Sequence, residues 1–263
     1  MEIERVRATS PRRATATRAL RVHHLAMVPG VAAPATVRQS PVIGREGSLD
    51  MSYDFRGAFK RTPATLTLVI VNVVVFLIAQ VLTGPAYRLY SYQALSVITI
   101  EAGWWWTLVT SMFMHGSVMH ILFNMFSLYW LGLTMERVLG SAKFLVTYFA
   151  SGIAGGLTYL AWCYLSGSVG WAIGASGAIF GLFGAYGVML LVESRRPVFL
   201  NQASARQSLT QFLVLLAVNV LYGFTGGIAW QAHLGGLVVG AILGYVFYLQ
   251  LRRTRGMGRF GAR

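Results

Sequence analysis

Six apolar stretches, none containing Asp, Glu, Lys or Arg, constrain this chain more than any other feature. They run over residues 64–82, about 118–135, about 144–165, about 173–192, about 209–224 and about 228–251. A helix crossing a hydrocarbon core of about 30 Å needs roughly 20 apolar residues. In lipid a chain must satisfy its own backbone, which leaves helices and closed barrels. The expected fold class is therefore all-α: a polytopic membrane protein built as a bundle of six transmembrane helices. The long connection over 83–117 carries Trp104, Trp105 and Trp106, whose rings suit the headgroup level, so part of it is expected to lie in the membrane.

Charge supports this reading and excludes another. Only 11% of the 263 residues are charged, against about 25% in soluble domains. The formal net charge of +14 raises the question of nucleic acid. Its placement answers no: the first 62 residues hold eleven Arg/Lys against five acids, and five arginines follow Leu251. The remaining basic residues are Arg137, Lys143, Arg195, Arg196 and Arg206 on one set of loops and Arg88 on the other. That one-sided bias predicts cytoplasmic termini. Residues 1–62 read as a basic, disordered cytoplasmic tail, with Met51 an alternative start, 63–251 as the six-span domain, and 252–263 as a second basic cytoplasmic tail. The single cysteine, Cys163, lies in an apolar run and reads as core filler.

Polar residues inside spans are costly and usually have a role. Here they fall at one depth. His115, His120 and Asn124 open the second span from its outer end, Ser176 stands in the first turn of the fourth, and His233 lies near the outer end of the sixth. At about 1.5 Å per residue, all lie on the order of 5–10 Å below the outer boundary. Taken singly, a membrane serine more often bonds its own backbone or packs as a small residue, and an asparagine or histidine can simply join helices. Together they carry several desolvation costs in one layer.

The acids are Glu2, Glu4, Glu46, Asp50, Asp54, Glu101, Glu136 and Glu193, none of them mid-span. An aspartyl pair is thus missing, and no histidine is followed by glutamate as a zinc-protease helix requires. A Ser–His pair remains, in which imidazole takes the hydroxyl proton and returns it to a leaving amine. His120 and Asn124, four residues apart, share a helix face as candidate oxyanion donors, beside the backbone N–H groups around Ser176 at the start of the fourth span. Gly177, Gly181, Gly184 and Gly187 follow the serine, and Gly236, Gly240 and Gly244 follow His233. Small faces of this kind let helices approach closely in lipid.

These residues resemble the rhomboid family of intramembrane serine proteases. The family's HxxxxHxxxN pattern reads His115 to Asn124 through His120, and its GxSG reads Gly174-Ala175-Ser176-Gly177. Its AHxxGxxxG reads Ala232-His233 through Gly236 to Gly240, and a Glu-Arg-x-x-Gly stretch matches Glu136-Arg137 and Gly140. The resemblance covers about residues 64–251. It implies a rhomboid-like bundle that cleaves single-span membrane proteins near the outer leaflet, with Ser176 and His233 catalytic, and His120, Asn124 and the Ser176 backbone holding the oxyanion. His115, Gly174, Gly177, Phe180, Gly236 and Gly240 would support them. No metal or cofactor is expected, and the bare core with basic tails points to a bacterial plasma membrane. Two positions depart from the family. Trp106-Thr107 stands where members often have Trp-Arg, and Phe180 where some have a tyrosine stacked on the histidine. The rival readings are a catalytically inactive relative that binds membrane clients, and a transporter using the polar layer. Inactive relatives typically lack the serine or the histidine, and no ionisable path crosses to the inner side.

Overall fold

Every long apolar run becomes a helix, and the computed structural model describes residues 61–82, 84–223 and 229–260. Helix α1 spans Pro63–Val81, with proline in its first turn, where the missing N–H costs nothing. The following connection holds three short helices, α2 (Gly84–Ser91), α3 (Val97–Glu101) and α4 (Thr107–Thr110), and a 3-10 turn at Ser111–Phe113. The long helices are α5 (Val118–Leu139), α6 (Ser141–Ser166), α7 (Ser176–Arg195), α8 (Gln202–Gly223) and α9 (Trp230–Phe260). No strand occurs among the described residues; one isolated bridge joins Leu95 to Ala172.

Five of these helices, α1, α5, α6, α7 and the Trp230–Thr254 part of α9, are long and apolar enough to cross a membrane. The protein is thus a multi-pass integral membrane protein. The expected fifth span corresponds to α8, which falls outside that set among the described residues. It starts seven residues before the expected 209, through the polar turn Gln202 to Ser208, because Asn201 caps it: Ser204 N–H donates to Asn201 Oδ1 at 2.8 Å. Residues 1–60, with Met51, lie outside the described residues, as do 224–228 and the last three of the expected C-terminal tail. Helix α9 runs past Leu251 into that tail, and Thr62, the last residue of the expected N-terminal tail, is buried against α1.

Helix ends have local causes. Ser117 caps α5 by accepting the His120 N–H, and Gly140, at φ +78°, separates α5 from α6. Glu136 reaches across the bundle to accept the Ala64 and Thr65 N–H groups at 2.9 and 2.7 Å, capping α1 with a carboxylate, and it also accepts the Ser141 hydroxyl. At the other end of α7, Glu193 accepts three successive N–H groups, from Val198 to Leu200, and the Tyr248 hydroxyl of α9. Helix α7 is the most enclosed of the spans. A Cβ placed on Gly236 would collide with the Gly177 carbonyl, one on Gly240 with that of Gly181, and one on Gly184 with that of Leu237. Helices α7 and α9 therefore touch backbone to backbone along the stripes of glycine visible in the sequence.

Candidate active site

Ser176 opens α7, and its position depends on the strand-like segment before it. Leu95 and Ala172 exchange backbone hydrogen bonds at 3.1 and 2.8 Å, and the Gly174 N–H donates to the Ser111 carbonyl at 2.9 Å. Gly174 then adopts φ +110°, a conformation L side chains rarely take. The sharp turn ends the extended segment, so α7 starts at Ser176 rather than near the expected 173. Three residues that the apolar run had joined to the span belong to the connection.

One turn into α9, His233 faces that serine. Its Nε2 lies 2.8 Å from Ser176 Oγ. For the hydroxyl to donate, the ring carries its proton on Nδ1. The Phe180 ring stacks on the imidazole at 4.1 Å between centroids and 6° between planes. The aromatic face expected from the sequence is present, and no hydroxyl is needed to hold it. The outer end of α9 is fastened by Gln231, whose amide oxygen, oriented toward the indoles, accepts from Trp162 and Trp230 at 3.0 and 3.1 Å. Sequence reading passed over Gln231. Its signal was a polar side chain in an apolar run, two residues before the histidine.

Across Gly174 lie the second-span groups. A Cβ on Gly174 would fall 2.6 Å from His120 Nε2 and 3.4 Å from Asn124 Nδ2, so both side chains converge on that glycine. Asn124 is buried, and its Nδ2 has no hydrogen-bond partner. His120 and Ser176 line one cavity of about 310 Å³, together with Ser111, Ser117 and Ala229. The unpaired N–H groups of the first turn of α7 lie beside it. This arrangement offers a hydroxyl, an adjacent base and several donors aimed at one small space, which is what acyl transfer through an oxyanion requires.

His115 is brought to a different wall. Its ring meets His120 edge-on at 5.0 Å, and it lines a separate cavity rather than the one beside Ser176. Burial first, then repulsion from His120, pushes its pKa down to about 3, opposed by the Phe113 carbonyl. Even so, neither ring nitrogen makes a hydrogen bond of good distance and angle. Thr107, in the place of the family's arginine, is buried and donates its hydroxyl to the Trp104 carbonyl at 2.7 Å. The tryptophan turn is thus anchored by a neutral local bond. The acids among the described residues have other partners: Glu136 and Glu193 those already given, and Glu101 the exposed Tyr164 hydroxyl at 3.4 Å. No group of His, Cys, Asp and Glu able to hold a metal occurs among the described residues.

Comparison with known proteins identifies a family. The family model described as the Rhomboid domain matches residues 102–250, more than half of the chain. Rhomboid protease AarA of Providencia stuartii is 29% identical over 209 residues, covering 73% of this chain and 74% of that protein. Rhomboid protease GluP of Bacillus subtilis (strain 168) is 30% identical over 179 residues, covering 67% and 33% respectively. RHOMBOID-like protein 1 of Arabidopsis thaliana is 34% identical over 145 residues, covering 55% and 35%.

Proposed function

The chain belongs to the rhomboid family, and from that premise we propose that it is an intramembrane serine endopeptidase working through Ser176 and His233. The observation that carries the proposal is the 2.8 Å contact between Ser176 Oγ and His233 Nε2 at the rim of a cavity that His120 also lines. His233 takes the hydroxyl proton as Oγ attacks the scissile carbonyl. The oxygen that gains the charge meets His120, Asn124 and the Ser176 backbone N–H. The imidazolium then gives its proton to the leaving amine, and His233 activates the water that hydrolyses the acyl-enzyme. His233 has no carboxylate partner among the described residues, so the stacked Phe180 and the α9 backbone orient it.

The substrates in this reading are single-span membrane proteins cut near the outer leaflet, because the polar layer lies close to the outer ends of α5, α7 and α9. The full reading has six spans, with α8 as the fifth, and both termini in the cytoplasm of a bacterial cell. The basic loops at Arg137–Lys143 and Arg195–Arg206 support that orientation. Purified protein is expected to react with a fluorophosphonate probe, and Ser176→Ala to abolish labelling. His233→Ala is expected to reduce cleavage of a model transmembrane substrate to background. Equal labelling of wild type and Ser176→Ala would exclude this nucleophile. A folded protein that never labels would be the inactive, client-binding relative.

A further inference from the structure

The second cavity lies on the far side of the Gly116–Trp171–Ile173 wall, which it shares with the cavity beside Ser176. It measures about 690 Å³, within the range of roughly 300–1,000 Å³ typical of small-molecule sites. Its polar lining comes from Gln80, Tyr87, Arg88, Ser91, Tyr92 and His115. That set holds phenol, amide and ring donors, one cation and no carboxylate, while the Ser91 hydroxyl is already given to the Tyr87 carbonyl. Arg88 is the only Lys or Arg between Arg61 and Arg137, and no carboxylate pairs with it among the described residues. His115, only 4% exposed, presents ring nitrogens without a well-formed hydrogen bond. A site with these donors is complementary to a singly charged oxyanion.

The surroundings say what bears that anion. The cavity begins at the end of α1, where Ala79, Gln80 and Leu82 form one side. Leading up to it, Val74, Leu77, Ile78 and Val81 form a single helical stripe, 47 to 77% exposed. This is a membrane helix, so the stripe lies against acyl chains. Tyr87, Tyr92 and Trp171 at the mouth are residues of the headgroup level. We propose that this cavity binds the phosphodiester headgroup of one phospholipid, with Arg88 on the phosphate, His115 donating from within, and an acyl chain along the α1 stripe. Arginine suits this task because its planar fork meets phosphate oxygens in pairs. Lipid seated there braces the wall that also bounds the Ser176 cavity.

The test uses the full chain in mild detergent and does not depend on proteolysis. Native mass spectrometry is run with added phosphatidylglycerol, with diacylglycerol, and with inorganic phosphate. Wild type is expected to retain one phosphatidylglycerol and no diacylglycerol. Arg88→Gln should weaken retention about tenfold or more, the scale of a lost charge-assisted hydrogen bond. Arg88→Lys should recover part of it. A melting temperature in lipid-free detergent equal to wild type establishes that both variants fold. Retention by Arg88→Gln equal to wild type would overturn the proposal. So would equal retention of diacylglycerol, which would mean an apolar groove only, or binding of inorganic phosphate without lipid, which would mean a free-anion site.

Discussion

Asn124 buries an amide nitrogen with no partner, a state that costs about 1–3 kcal/mol in a folded protein. An unused donor aimed at Gly174, next to His120, is stabilising only when negative charge arrives there. Asn124→Ala is therefore expected to lower kcat about 100- to 1,000-fold, the effect of losing one oxyanion donor. Its melting temperature should stay level or rise, because the orphaned group is gone. A fall in melting temperature with kcat intact would mean that Asn124 merely joins helices. His115 makes a second prediction, on stability. Its folded pKa is depressed to about 3 from the ordinary 6.5. As pH falls, the unfolded chain takes up this proton near 6.5 and the folded chain only near 3, so stability is lost across that window. Melting curves of wild type and His115→Gln should diverge least above pH 7, with wild type losing more on acidification. Parallel curves would show that His115 already has a proton partner when folded.

At the scale of elements, two helices decide whether the site exists. Helix α7 supplies the hydroxyl and α9 the imidazole, and they close to backbone contact at Gly177–Gly236 and Gly181–Gly240. A methyl group on Gly240 would land on the Gly181 carbonyl, and neither backbone can yield without the helices parting. Overpacking of this kind typically costs about 1–3 kcal/mol, and here it also separates Ser176 from His233. Gly240→Ala is expected to lower both the melting temperature and the fluorophosphonate labelling rate, the latter more than tenfold. Unchanged labelling would mean that the helices need not approach this closely. Glu136 and Glu193 perform the matching service at the opposite end. Each is a buried carboxylate that gathers N–H groups of a neighbouring segment and so fixes how α1 and α9 sit on the bundle.

For the whole molecule, the crossing of α8 decides topology. Its charged and polar first two turns reduce its apolar length, while the five other long helices meet the demand of the bilayer in full. With α8 crossing, the C-terminus returns to the side of the basic loops. A reporter active only in the cytoplasm, fused after Arg263, is expected to be active, and one inserted in the connection at Ser168 to be inactive. An inactive C-terminal reporter would leave five crossings and put the termini on opposite sides.

The membrane helices were legible in the sequence because lipid imposes a local rule: a long uncharged run must bond its own backbone, whatever its neighbours are. The shared depth expected of Ser176, His233, His120 and Asn124 rests on the same reason, since counting residues along a helix measures distance into the bilayer. Which faces meet is a different kind of fact. The Ser111 carbonyl that holds the Gly174 turn, the Gln231 bond to the Trp162 indole, and a carboxylate at Glu136 capping a helix 71 residues away all join segments distant in the chain. Residue spacing within one helix carries no label for its partner. Only the packed bundle supplies that, because close approach is selected jointly by the small residues of two helices and the buried polar groups each must satisfy.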